Sequence, residues 1–128
     1  MAIIQSFRDL DVYQLGRVQA KKIFALTRAF PKEERYSLTD QILRASRAVN
    51  ALVAEGWGRR RYEASFINKL VEAMAEAMET QSWLDHALDC NYITQEQHRE
   101  LDAAWQHIGA MLNRMIERAE TFCRSSAP

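Results

Sequence analysis

SLTDQILRASRAVNALVAEGWG, residues 37–58, carries its apolar side chains at the spacing of an α-helix. The steps between them are four, three, four and three residues: Leu38, Ile42, Ala45, Val49 and Leu52. Such steps put the side chains on one face, as in the heptad seam of a helical bundle. Ser37 stands where an N-cap belongs, and Gly56 and Gly58 favour the left-handed conformation that ends a helix. The stretch therefore predicts a helix over about residues 37–56.

The same periodicity recurs on both sides of this stretch and predicts three more helices, over about residues 11–28, 63–88 and 95–122. Asp11 and Thr94 are the predicted N-caps of the first and last of these. Phe30-Pro31 breaks the chain between the first two helices. The predicted seams of the third and fourth helices are Phe66, Leu70, Ala73, Ala77, Leu84 and Leu101, Ala104, Ile108, Met111, Met115, Ala119.

Short connections between successive long helices favour antiparallel neighbours. The predicted fold is therefore all-α, a single domain over residues 1–128 that forms an antiparallel up-down-up-down four-helix bundle. The third helix also carries a second apolar strip: Ile67, Val71, Met74 and Met78. This spare strip predicts a homo-oligomer, although a small bundle that buries wide apolar stripes internally would give the same pattern.

Several classes of protein are excluded by composition. No apolar run approaches the length of a membrane span, and the first residues do not form a signal peptide, so we expect a cytoplasmic protein that does not contact a membrane. Cys90 and Cys123 lie far apart and outside any CxxC pair, which predicts neither a disulfide framework nor a zinc site.

No motif of catalysis occurs. The chain has no Glu-x-x-His pair of a di-iron bundle, no phosphate-binding loop, no glycine-rich dinucleotide turn and no Gly-x-Ser-x-Gly elbow. His86, His98 and His107 fall among acidic and amide residues, where a solvated side chain is expected. We therefore predict a protein that is not an enzyme, with no catalytic residue, no metal and no cofactor.

The charge is divided unevenly although the net charge is zero. Residues 1–61 hold twelve Lys/Arg and six Asp/Glu, whereas residues 62–128 hold five and eleven. Such asymmetry fits either a nucleic-acid surface or two halves, or two subunits, that attract each other. The candidate nucleic-acid-binding residues are Arg44, Arg47, Arg59, Arg60 and Arg61.

Arg59, Arg60 and Arg61 follow Gly58 and lie between Trp57 and Tyr62. Guanidinium groups and aromatic rings at one end of a bundle suit phosphates and stacked bases, but a solvated basic turn has the same composition.

The third predicted helix carries an acidic row, Glu72, Glu76 and Glu79, in which like charges repel. A pair of catalytic carboxylates is an alternative interpretation of this row. However, if the second and third helices fold back on each other about residue 59, Arg44 lies level with residue 74 and Arg47 with residue 71. We therefore expect a charge ladder between the two helices.

The chain resembles the bacterial four-helix-bundle family encoded in intervening sequences of the 23S ribosomal RNA gene, sometimes labelled a ribosomal protein. The residues that carry the resemblance span nearly the whole chain: Phe7-x-x-Leu10, Phe30-Pro31-x-x-Glu34-x-Tyr36-x-Leu38, Gln41-Ile42-x-Arg44-Ala45, Ala54-Glu55-Gly56, Glu79-Thr80-Gln81 and Tyr92-Ile93. Departures from the family pattern are Ala48, Asn50, Leu52 and Ala73-Met74.

The resemblance implies a homopentamer of four-helix subunits with no known enzymatic activity. A similar fold occurs in the accessory variability protein of diversity-generating retroelements, which partners a reverse transcriptase and nucleic acid. Fold alone does not transfer function. The prediction that the five candidate arginines bind nucleic acid therefore rests on the uneven distribution of charge and not on the resemblance. Two hypotheses follow: an oligomeric scaffold that binds RNA or DNA, or an adaptor that binds another polypeptide and no nucleic acid.

Overall fold

A computed structural model describes residues 3–123 as five α-helices, with no strand among those residues. The helices are α1 (Asp11–Thr27), α2 (Leu38–Gly58), α3 (Glu63–Asp89), α4 (Gln95–Glu117) and the short α5 (Ala119–Cys123). Two single-turn 3-10 helices, Phe7–Asp9 and Lys32–Glu34, precede α1 and α2. Residues 1–2 and 124–128, which the single-domain prediction included, lie outside the described residues.

The four long helices pack in a ring in which each contacts its sequence neighbours and α1 closes against α4. Within residues 3–123 no Cα atom of α1 lies within 8 Å of one in α3, and the same holds for α2 and α4. The prediction of an all-α helical bundle is confirmed. None of the helices in the described part is long and apolar enough to cross a membrane.

The core lies on the helix faces that the periodicity predicted, with two local shifts. In α2 the last core residue is Val53, which is fully buried, whereas Leu52 is only half-buried. In α4 the centre of the seam is Trp105 and Leu112 rather than Ala104 and Met111. Both shifts have one cause: a helix has 3.6 residues per turn, so a strict seven-residue pattern drifts across its face.

The ends of α2 differ from the prediction. Ser37 is the N-cap residue, but its side chain makes no capping hydrogen bond. The backbone N–H of Leu38 instead donates to Oε1 of Glu34 at 3.2 Å. α2 continues through Gly56 and ends at Gly58, with Arg59 as the C-cap residue. No glycine has a positive φ, so the helix does not end in the left-handed conformation that was predicted.

Gly56 serves the contact between α2 and α3. A Cβ at this position would lie 3.3 Å from Cβ of Lys69 and 3.5 Å from Cδ2 of Leu70. The missing side chain therefore lets the two helices approach closely, as glycine does where one backbone must lie near another.

The termini of α1 and α4 also depart from the sequence prediction. Asp11 is the first residue of α1, not its cap; Leu10 is the N-cap and makes no side-chain hydrogen bond. Thr94 and Gln97 do form the predicted capping box of α4. The predicted helix over residues 95–122 is interrupted at Arg118, where φ is −111° and ψ is 27°, so α5 forms a separate turn.

Glu34 joins three parts of the bundle. One carboxylate oxygen caps α2, and the other accepts a hydrogen bond of 2.8 Å from the hydroxyl of Tyr92 in the α3–α4 connection. The ring of Tyr92 also packs against Phe30, with ring centroids 5.4 Å apart. The hydrogen bond to Glu34, followed by burial, raises the pKa of Tyr92 to about 12.

We expect the titration of Tyr92 to report this contact. The bond needs the neutral phenol, so its stabilising effect is present below the ordinary pKa of 10.0 and is lost as pH rises through about 12. Subtracting the phenolate absorbance of a Tyr92→Phe variant from that of the wild type should isolate a midpoint near 12. Glu34→Gln should move the midpoint downward, and an unchanged midpoint in that variant would show that Glu34 is not the cause.

Candidate nucleic-acid interface

The turn between α2 and α3 holds three of the predicted arginines. Its backbone is closed by hydrogen bonds from the N–H of Arg59 to the carbonyl of Gly56 (2.9 Å) and from the N–H of Tyr62 to the carbonyl of Arg59 (3.0 Å). The guanidinium of Arg60 lies 3.5 Å from the ring centroid of Trp57, and its Nε donates to the Trp57 carbonyl at 2.8 Å. Arg60 is thus engaged with α2, which leaves Arg59 and Arg61 as the exposed cations of the turn.

Arg44 and Arg47 lie on exposed positions of α2 but have different surroundings. Arg44 forms a long ion pair with Asp40, at 3.9 Å, and its side chain is 73% exposed. It also faces Glu76 of α3. Burial raises the pKa of Glu76, with Glu79 and Glu72 adding to the effect, and Arg44 opposes the rise.

Arg47 points across to α1, where it meets an exposed aromatic ring. Its guanidinium lies 5.6 Å from the ring centroid of Phe24, and the guanidinium of Arg28 lies 5.8 Å from the same centroid. These are cation–π distances. Phe24 is 42% exposed. The three residues therefore form a cationic, aromatic surface that spans α1 and α2.

This cationic, aromatic surface continues along α1, and it could have been predicted from the spacing of its residues in the sequence. Arg17, Lys21, Phe24 and Arg28 follow one another at steps of four, three and four residues, so they share one face of the helix. All four are exposed. The stripe has the same period as the apolar face of the helix, so apolar periodicity alone does not reveal it. We call Arg17, Lys21, Phe24, Arg28 and Arg47 the α1–α2 basic face.

The candidate arginines fall into two groups rather than one cluster. Twelve residues separate Arg47 from Arg59 along α2, which corresponds to about 18 Å at 1.5 Å per residue. About five successive phosphates on one strand of a B-form duplex span that length. Arg47 faces α1, whereas Arg59 and Arg61 lie in the turn after α2, so the two groups are separate parts of the surface.

The charge ladder between α2 and α3 has different members from those expected. Lys69 of α3 pairs with Glu55 of α2 at 3.1 Å and with Glu72 at 3.9 Å. Arg44 acts on Glu76 electrostatically, which agrees with the expected ladder. Neither Arg44 nor Arg47, however, comes within 4.0 Å of an acidic residue of the row, so neither forms an ion pair with it. The flexible stem of Lys69 lies beside both helices, whereas Arg47 is turned toward α1.

His98 also departs from the solvated side chain that was expected. His86 and His107 are exposed, but the side chain of His98 is only 21% exposed, and its Nε2 lies 2.8 Å from Oδ1 of Asp85. The contact joins α4 to α3. Sequence reasoning missed it because Asp85 and His98 are thirteen residues apart and meet only when the two helices fold together.

The two cysteines are not joined in a disulfide and have different surroundings. Cys90 is exposed and Cys123 is half-buried, and both are free thiols. Burial raises the pKa of the Cys123 thiol, with Glu63 raising it further and Arg60 lowering it. A raised pKa disfavours the thiolate, which is the reactive form of cysteine.

The second apolar strip of α3 lies on the surface of the single chain. Val71 is 49% exposed and Met78 is 61% exposed, and Ile67 and Met74 are half-buried beside them. The bundle therefore does not bury the strip internally, which was the alternative reading of the pattern.

Comparisons with known proteins agree with the resemblance noted from sequence. The family model of the 23S rRNA-intervening sequence protein matches residues 8–114. A solved structure from Bacteroides thetaiotaomicron, described as a protein of unknown function from the S23 ribosomal protein family, is similar to this chain. It is 30% identical, covers 83% of this chain and 95% of its own, and has a TM-score of 0.76. No curated protein matches.

The family match covers most of the chain, and the similar structure shares both the fold and the sequence pattern over nearly its full length. The chain belongs to the 23S rRNA-intervening sequence protein family.

Proposed function

We propose that this chain is a non-enzymatic cytoplasmic scaffold that assembles with copies of itself and binds RNA or DNA electrostatically. The observation that carries the proposal is the α1–α2 basic face, where Arg28 and Arg47 flank the exposed ring of Phe24. Two further cations of the face, Arg17 and Lys21, extend it along α1.

The chemistry of this face suits a polyphosphate chain. Within residues 3–123, no carboxylate lies within 4.0 Å of the cations of the face, so their charges are not neutralised locally. Binding then releases condensed counterions from the nucleic acid, which supplies affinity without base recognition. The ring of Phe24 offers a stacking surface for an unpaired base. Arg59 and Arg61 add a second pair of phosphate contacts, and Arg44 contributes less because Asp40 and Glu76 offset its charge.

Self-association would repeat the electrostatic contact between the α1–α2 basic face and a nucleic acid. The exposed Val71 and Met78 give α3 an apolar strip that a second copy could cover. The number five comes from the family resemblance and not from the geometry of one chain. Several copies of the basic face on one particle would raise its avidity for a long nucleic acid.

The first step of the test is the mass in solution, measured by light scattering. We expect several copies of the 14.8 kDa chain in the wild type, five if the family resemblance holds. Met78→Glu should lower the mass, because it places a charge in the apolar strip. A monomeric wild type would contradict the assembly.

The second step, on the same sample, is a titration of RNA and duplex DNA over a range of salt concentrations. A double variant, Arg28→Ala with Arg47→Ala, removes both cations from Phe24. Each chain of this variant that contacts duplex DNA neutralises two fewer phosphates. We therefore expect the slope of log K against log salt to fall in magnitude by about 1.8 for each such chain. Arg59→Ala with Arg61→Ala should have a similar effect, whereas Arg60 is left in place because it packs on Trp57.

The matched control removes the same charge from the acidic half of the chain. Arg99 and Arg114 are exposed residues of α4 that do not belong to the basic face, and Arg99→Ala with Arg114→Ala should leave the slope unchanged. An equal loss in this control would show that only net charge matters. An oligomer that binds neither RNA nor DNA at low salt would contradict the proposal and favour an adaptor for another polypeptide.

A further inference from the structure

Four polar side chains from α3 and α4 meet near the end of the bundle at which α3 ends and α4 begins. Gln81 and Asp85 are four residues apart on α3, and His98 and Asp102 are four residues apart on α4. A spacing of four places each pair on one helix face, and packing brings the two faces together. Ligand atoms of Asp85, His98 and Asp102 all lie within 4.8 Å of one another.

The geometry points to a divalent transition-metal site at Asp85, His98 and Asp102, of the kind that binds Zn²⁺, Co²⁺ or Ni²⁺. One imidazole nitrogen and two carboxylate oxygens form a donor set that suits these ions better than Mg²⁺ or Ca²⁺, which prefer oxygen alone. A tetrahedral zinc ion with bonds of about 2.0 to 2.1 Å holds its ligands about 3.3 Å apart. Small side-chain rotations would bring the three donors to that spacing.

The surroundings of the cluster support this assignment. Nε2 of Gln81 donates to Oδ1 of Asp102 at 3.1 Å, and so holds that carboxylate from outside the cluster. Fixed carboxylate ligands of this kind are usual around metal ions. His98 is largely buried, which limits the entropy that its ring would lose on binding.

An open groove gives an ion access to the cluster and leaves room for a water ligand. The groove has a volume of about 460 Å³, and both His98 and Asp102 line it. Arg99 lines it too, but its guanidinium is not within 4.0 Å of either aspartate in the described part of the chain. Among the described residues, no Lys or Arg side chain lies within 4.0 Å of Asp85 or Asp102. The two carboxylates lie close together, and a divalent ion would relieve the repulsion between them.

Isothermal titration of the metal-free full-length protein with Zn²⁺, and separately with Co²⁺, tests the site. We expect one ion per chain and a dissociation constant that rises at least tenfold in His98→Ala and in Asp85→Asn. Visible absorption of the Co²⁺ complex should show a low-coordinate ion in the wild type and not in His98→Ala. This spectroscopic readout separates ligation from a general change of charge.

Two control variants retain the cluster. His107→Ala removes an exposed histidine of α4, and Cys90→Ser removes the exposed thiol, and neither should weaken binding by more than twofold. Far-ultraviolet circular dichroism checks that every variant is folded. Absence of saturable Zn²⁺ binding below 1 mM, or equal binding by His98→Ala and the wild type, would overturn the assignment and leave His98–Asp85 as a simple hydrogen bond between helices.

Discussion

Trp105→Ala is expected to lower the free energy of unfolding by about 3 kcal/mol, more than any other change considered in this chain. Trp105 heads the fully buried side chains by volume and lies at the centre of the α4 seam. Truncating a buried tryptophan or phenylalanine costs about 3–5 kcal/mol through lost apolar contact and the cavity left behind. The lower end applies here, because the buried Nε1 has no hydrogen-bond partner among the described residues and its removal recovers some free energy.

A second variant at the same position separates volume from polarity. Trp105→Phe keeps most of the apolar contact and removes the unpartnered N–H, so we expect it to change stability by no more than about 1 kcal/mol. Urea unfolding at one fixed protein concentration measures both variants, since self-association makes stability depend on concentration. His107→Ala, an exposed change on the same helix, should stay within about 0.5 kcal/mol of the wild type.

The stability changes of Trp105→Ala and Trp105→Phe together decide whether Trp105 stabilises the protein by filling space in the core. A loss below about 1 kcal/mol for Trp105→Ala would mean that α4 repacks easily and that the seam is not centred on this residue.

Periodicity predicted most of the fold because it reports which helix face is buried. The seam residues Phe66, Leu70, Ala73, Ala77 and Leu84 are all buried in α3, as expected. The residues at which the helices begin and end were harder to predict, because they depend on contacts between residues that are distant in sequence. The Ser37 side chain makes no capping hydrogen bond, and Glu34 accepts the first amide of α2 instead. Gly56 lies against Lys69 and Leu70 inside α2, so it serves the contact with α3 and does not end the helix.

The candidate site was only partly predictable. Charge counting identified α2 and the following turn, but it could not show that Arg60 packs on Trp57 or that Arg47 reaches Phe24. Those contacts depend on side-chain rotamers and on the packing of α1 against α2. The hydrogen bond between Asp85 and His98 likewise forms only when α3 and α4 pack together, so the sequence of neither helix predicts it alone.

Gly16 and Asn50 are a further pair that only the folded chain brings together. Gly16 is buried in α1, and a Cβ there would overlap Oδ1 of Asn50 and lie 2.9 Å from its Cγ. Nδ2 of Asn50 donates to the carbonyl of Tyr13 at 3.1 Å, which fixes the side chain in this position.

Gly16→Ala should therefore destabilise the protein by about 2 kcal/mol, although alanine favours a helix over glycine by about 1 kcal/mol. In an Asn50→Ala background the overlap is gone, and the same change should become neutral or stabilising by up to about 1 kcal/mol. The reversal of sign, measured by urea unfolding of the four proteins of the cycle, isolates the contact from helix propensity. Equal effects of Gly16→Ala in both backgrounds would show that Asn50 moves aside at little cost, and that the approach of α1 to α2 does not depend on this pair.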